Sequence, residues 1–458
     1  MVCQEVRELV MRSGLWRRSV LIILSGLTVH MLMLIQEPPG WAQDESALKE
    51  TDEPWDLHFQ ATVVSQWHPA FPAKYSGPNS LSAKPEFSTS LTSTLFAGAR
   101  LWHGAEFYIN PELVAGDGFS HTLGVAGFPN GEIYRVSDPV PTLFVARLFL
   151  RQTFSLGGER ERVEPDQNQL GGIYDQHRIT LTLGKFSLTD LFDDNAYSHD
   201  PRTQFLNWSI MDNGAWDYAA DTRGYTWGVA LEYQQSRWAF RLATVMVPKQ
   251  ANKESLDFAL SRAHGDNAEL EYLYAIQEHP GKLWLSAYAN HAHMGSYRDT
   301  IDAGVTDITL TRQYRVKYGF GLNIEQELNH DVGVFLRLGW NDGRTETWAF
   351  TEIDQTASFG ISLKGSRWKR PEDTVGIAAA INGLSADHAA YLKAGGVGFI
   401  VGDGHLTYAP EQIIETYYLW KPLPRLGVTV DAQFVNHPAY NMDRGPVYIL
   451  GSRLHYAF

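Results

Sequence analysis

From residue 86 onward the chain repeats one pattern: apolar and polar residues alternate. In GYTWGVALEYQ (224–234), Tyr225, Trp227, Val229, Leu231 and Tyr233 share one face, and Gly224, Thr226, Gly228, Ala230, Glu232 and Gln234 share the other. RITLTLG (178–184), VKYGFGLNIEQ (316–326) and LGVTVDAQF (426–434) repeat the alternation. A period of two belongs to strands, not helices. The polar face is built of Gly, Thr, Asn and charged residues, which suits a watery lumen. Rings close the apolar sets, as at Tyr225 and Tyr233, where an interfacial girdle would hold them.

The chain ends in VYILGSRLHYAF, with Tyr448, Leu450, Leu454, Tyr456 and Phe458 on one face. A soluble chain usually lets its last residues fray into water. A strand in bilayer hydrocarbon has no such freedom, because an open edge leaves backbone N–H and C=O groups unsatisfied. The reading is therefore an all-β fold: a transmembrane antiparallel β-barrel of about 16 strands, with about 18 as the alternative, closed by the C-terminal strand.

The net charge of -14 argues against nucleic acid as a partner. The single cysteine, Cys3, excludes an intramolecular disulfide. Residues 1–42 differ from the rest. Arg7, Arg12, Arg17 and Arg18 precede an apolar run, Val20 to Ile35, and then Gly40-Trp41-Ala42. That order is a signal peptide for Sec-type export. Residues 43–85 read as a periplasmic N-terminal segment leading into the barrel, with one possible strand at Leu57 to Ser65. Residues 86–458 read as the barrel, with a long or inward loop around 187–224, where alternation stops.

The hairpin around Trp102-His103-Gly104 fixes a register. Keeping both apolar sets on one side requires paired residue numbers to sum to 206, with Gly104 as the left-handed bulge residue. Arg100 then faces Glu106, and Thr94 faces Glu112. Arg100, Glu106, Tyr108, Asn110 and Glu112 line one polar wall. In LFVARLFLRQTF, Arg147 and Arg151 share a face with Phe149. They should point into the lumen, because an arginine in lipid costs about 2–4 kcal/mol near the midplane. Glu132 and Arg135 fall in a turn-rich segment that folds inward or loops out. Each of these side chains serves equally as an ion-paired wall or as a selectivity element.

In the unpatterned stretch, Asp190, Asp193, Asp194 and Asn195 offer oxygen ligands without EF-hand spacing. Trp208, Trp216 and Tyr218 are either sugar-stacking platforms or packing for the loop. His291 and His293 are two ligands, which is not a metal site. No cofactor is expected, and no G-x-S-x-G, H-E-x-x-H or P-loop motif is present.

Several phrases, in order, carry a resemblance: GARLWHGAEFYINPE (98–112), GFPNGEIYR (127–135), ARLFLRQTFSLGG (146–158), LTLGKFSLTDLFDDNAYSHDPRTQFLNW (181–208), GAWDYAADTRGYTWG (214–228) and RGPVYILGSRLHYAF (444–458). The chain resembles the carbohydrate-selective outer-membrane porins of the OprB family. The resemblance implies a barrel with a narrow polar eyelet and passive diffusion of mono- or oligosaccharides across the outer membrane of a Gram-negative-type bacterium. It implies arginine and glutamate groups that bond sugar hydroxyls, here among Arg100, Glu106, Asn110, Glu112, Glu132, Arg135 and Arg147. Tyr108, Arg151 and Trp208 complete the expected set. The expected partners are a carbohydrate, outer-membrane lipids and, through Phe458, the barrel-assembly machinery, with a monomer or homotrimer as the assembly. A general or polysaccharide-export channel is the alternative, and a barrel-borne enzyme a more distant one.

Overall fold

The computed structural model describes residues 52–133 and 140–458, so the expected signal peptide at 1–42 and Arg135 lie outside the described residues. Sixteen antiparallel strands form one closed barrel. They are β1 (Trp55–His68), β2 (Glu86–Trp102), β3 (Ala105–Gly116), β4 (Thr142–Val163), β5 (Gly172–Phe186), β6 (Thr226–Gln234), β7 (Trp238–Val245) and β8 (His264–Ile276). Then follow β9 (His279–Met294), β10 (Gln313–Asn329), β11 (Val332–Asn341), β12 (Gln355–Lys364), β13 (Thr374–Gly383), β14 (Glu411–Leu423), β15 (Leu426–Asn436) and β16 (Val447–Ala457). Each strand pairs with its sequence neighbours, and β16 closes on β1 with Thr62 opposite His455. No helix among the described residues is long and apolar enough to cross a membrane. The strands supply the lipid-facing surface.

Backbone pairing at the seam extends as far as Phe458. Phe59 and Phe458 exchange both backbone hydrogen bonds at 3.0 Å, and their rings lie 5.7 Å apart. Pairing thus reaches the final residue. The barrel wall begins at Trp55, inside the stretch that sequence reading placed before the barrel at 43–85. The physical reason is closure: without β1, both β2 and β16 would present an open edge to lipid.

Alternation sorts the faces as expected. Leu95, Leu101, Val229, Phe320 and Val430 are exposed on the outside, while Thr94, Asn323 and Asp431 of the same strands are buried inside. Tyr225 departs from the expectation of a lipid-facing ring. It precedes β6, its backbone closes a turn with Asp221 at 2.9 Å, and its side chain is buried.

Connections fall into two classes. At the rim that carries Phe458, turns are short, such as Asn329 to Val332 and Leu423 to Leu426. At the other rim they are long. The longest, residues 187–225, lies inside the barrel, where it meets the polar ends of wall side chains.

Candidate functional site

The inward segment is fastened to one side of the lumen. Arg337 on β11 bonds Asp193 at 3.0 Å through Nε, the Ile210 carbonyl at 3.0 Å through Nη1 and the Ser198 carbonyl at 2.6 Å through Nη2. Glu415 on β14 accepts from the backbone N–H of Leu206 at 2.6 Å and of Asn207 at 2.9 Å. Glu269 on β8 accepts from the N–H of Asp193 at 2.8 Å, and Arg453 on β16 donates to the Gln204 carbonyl at 2.9 Å. Buried wall charges here satisfy loop backbone that strand pairing cannot reach. The remaining polar wall, on β2 to β5, faces the other flank of the segment.

That wall has the register read from the sequence: Arg100 opposite Glu106, and Thr94 opposite Glu112. The turn is tighter than the expected three-residue loop. Trp102 pairs with Ala105, and an irregularity between Arg100 and Trp102 restores the expected pairing further along. Gly104 supplies the left-handed conformation, with φ of 74°.

Two linked clusters result. In the first, Glu106 receives Arg100 at 3.2 Å, the Tyr108 hydroxyl at 2.8 Å and the Tyr174 hydroxyl at 2.6 Å. Arg151 stands 4.0 Å from Glu106 and donates to the Asn168 carbonyl at 2.9 Å, and Asn110 donates to the Asn168 side chain at 2.9 Å. In the second, Arg147 grips Asp190 through two hydrogen bonds, at 2.7 Å and 2.5 Å, and lies 5.1 Å from the Tyr225 ring. The Tyr225 hydroxyl donates to Glu112 at 3.1 Å, and Thr94 donates to the same carboxylate at 2.7 Å.

Glu132 folds inward and joins this wall. It accepts from Thr92 and pairs with Arg202 at 2.9 Å. Burial pushes its carboxyl up to about 7, against the lowering influence of Arg202 and Thr92. Trp208 lies in a buried ring cluster, stacked on Phe350 at 4.1 Å and Phe128 at 5.2 Å. Below the inward segment, a cavity of about 210 Å³ opens among Glu106, Arg151, Tyr174, Arg178, Phe192 and Arg241.

The expected residues Arg100, Glu106, Tyr108, Asn110, Glu112, Arg147 and Arg151 thus share one wall. Among the described residues, the acidic run 190–195 does not converge on a point, because Asp190 turns to Arg147 and Asp193 to Arg337. The sequence does not place Asp190 and Arg202 with the wall, since both arrive from the unpatterned segment, nor Tyr225, whose alternation assigns it to the lipid face. Chemically, the wall sets fixed cations and anions side by side with phenol hydroxyls. Sugar hydroxyls both donate and accept, so such a surface can meet either need.

The sequence profile described as carbohydrate-selective porin, OprB family, matches residues 79–458. The chain belongs to this family. The porin is similar in structure to Pseudomonas putida OprB at high pH, with a TM-score of 0.67 at 14% identity, covering 88% of this chain and 94% of that one. The channel DcaP of Acinetobacter baumannii gives a TM-score of 0.49 at 9% identity, covering 88% and 97%. No curated protein matches the sequence. Family and barrel together make the porin a passive, carbohydrate-selective channel of the bacterial outer membrane.

Proposed function

We propose that this porin serves the uptake of mono- and oligosaccharides, and that its selectivity is set where Arg147, Asp190, Glu112 and Tyr225 meet. The observation that carries this reading is the Arg147–Asp190 pair, which bridges the β4 wall and the inward segment at 2.5 Å and 2.7 Å. A sugar passing there exchanges water for paired donors and acceptors. Arg100, Glu106, Tyr108, Asn110 and Arg151 continue the polar path toward the short-turn rim. Glu132 acts beside Arg202, and Arg135 is proposed with it from the sequence. Trp208 supports the inward segment from its ring cluster. Binding at such a wall must stay weak enough for release.

Delivery is proposed to follow Sec-type export on the leader at 1–42. Phe458 then presents the seam strand to the assembly machinery.

The test is single-channel current in a planar bilayer, with stepwise glucose and short glucans. Saturable block by sugar supports the reading. Current that sugars leave unchanged would point to a general pore instead.

A further inference from the structure

The outward face holds a cluster that sugar passage does not use. His264 and Asp266 open β8, and His291 lies on β9 directly opposite His264 in the strand register. The His264 and His291 rings stack at 4.4 Å. Asp266 stands 3.4 Å from His264 Nε2 and 4.0 Å from His291 Nε2. One ligand atom from each residue lies within 4.8 Å of the other two. Thr244 on β7 donates to the other Asp266 oxygen at 2.7 Å.

These side chains share a face with lipid-exposed Leu270 and Leu285. They stand at the long-connection rim, where the apolar band gives way to headgroups. Three features separate them from ordinary rim polarity. Two imidazoles and a carboxylate come together from two strands whose backbones are already locked. The carboxylate is oriented by a hydroxyl, as metal-ligating carboxylates commonly are. And all three side chains are half-buried, so few waters must be displaced.

We propose that His264, Asp266 and His291 form a binding site for a divalent transition cation of the zinc class. Two imidazole nitrogens and one carboxylate oxygen suit zinc, copper or nickel, and disfavour calcium and magnesium, which prefer all-oxygen sites. The two rings fan apart by side-chain rotation to aim at one ion, and the strand pairing stays intact. The ion completes its shell with water or headgroup oxygen from outside the barrel.

The experiment uses the full folded porin, with any affinity tag removed because the chain carries 16 histidines. Zinc chloride is titrated calorimetrically, with calcium chloride in parallel, against the wild type and the variants His264→Ala, His291→Ala and Asp266→Asn. The expected result is one zinc per barrel, no comparable calcium binding, and a higher unfolding temperature with zinc. Changes to outer partners of metal ligands already cost about 10–100-fold in affinity, so each variant should lose at least that much. Sugar block of the channel should be unchanged in all of them, which separates this proposal from the uptake reading. Asp266→Asn keeps the side-chain shape and serves if an alanine variant fails to assemble. Absent zinc binding, equal calcium binding, or zinc binding that survives all three substitutions would each overturn the proposal.

Discussion

Arg147 and Asp190 form a fork-to-fork pair, Nε to Oδ2 at 2.7 Å and Nη2 to Oδ1 at 2.5 Å, across the boundary between the β4 wall and the inward segment. A lysine offers a point charge in place of that planar fork. Arg147→Lys should therefore weaken sugar block by about tenfold, the loss expected for one charge-assisted hydrogen bond. Ion conductance should change far less. Concentration-dependent noise in single-channel recordings checks this.

Glu132 predicts a pH response. Its carboxyl titrates at about 7 because burial disfavours the charge. Below neutrality it takes up a proton, so the lumen loses a negative charge beside Arg202 and cation preference falls. The folded-state value lies above the ordinary 4.5, so between the two the folded chain holds more protons than the unfolded one. This group's contribution therefore weakens as pH rises through that window. Reversal potentials on both sides of neutrality should differ in the wild type. Glu132→Gln should remove that difference.

Arg337 fastens the inward segment by four bonds, to Asp193, Ile210 and Ser198. Arg337→Ala leaves the buried Asp193 carboxylate without its cation, a loss that costs about 3–5 kcal/mol in buried pairs. The segment should loosen, with larger conductance and lost sugar block. Denaturant unfolding and channel recordings of the same preparation test the two halves of this prediction.

Phe458 pairs with Phe59 through two backbone bonds at the seam. Deleting it should lower the yield of folded barrel in the outer membrane, read by the heat-dependent shift of folded porin on gels. Normal yield would remove the assembly role from Phe458.

Much of this was legible because strand alternation is local. The sum of 206 placed Arg100 against Glu106 and Thr94 against Glu112, and the backbone pairs them so. The alternation also put Arg147 and Arg151 inside. Trp55 to His68 was read only in part, as a possible strand from Leu57 to Ser65, because the polar–apolar contrast fades at Val63-Val64 and a proline-rich stretch follows at once. Tyr225 looked like the first ring of a lipid face, yet a turn at Asp221 rotates it inward before β6 begins. The histidines showed the same limit. His291 and His293 are near in sequence, but the partner that matters, His264, comes from the neighbouring strand. Contacts of the inward segment follow no period, so no pattern in the sequence announces them.

The moorings of that segment also set an order of events. Gln204 is held by Arg453, 249 positions further along, and Leu206 by Glu415, 209 positions along. On a chain made from its N-terminus, residues 187–225 emerge after the β2 to β5 wall and before β8, β11, β14 and β16, which hold their other flank. Their mooring is complete only when β14 to β16 exist. A barrel lacking those strands would hold the segment by only some of its bonds. The last strands thus close the wall and finish fastening what lies inside it in one step.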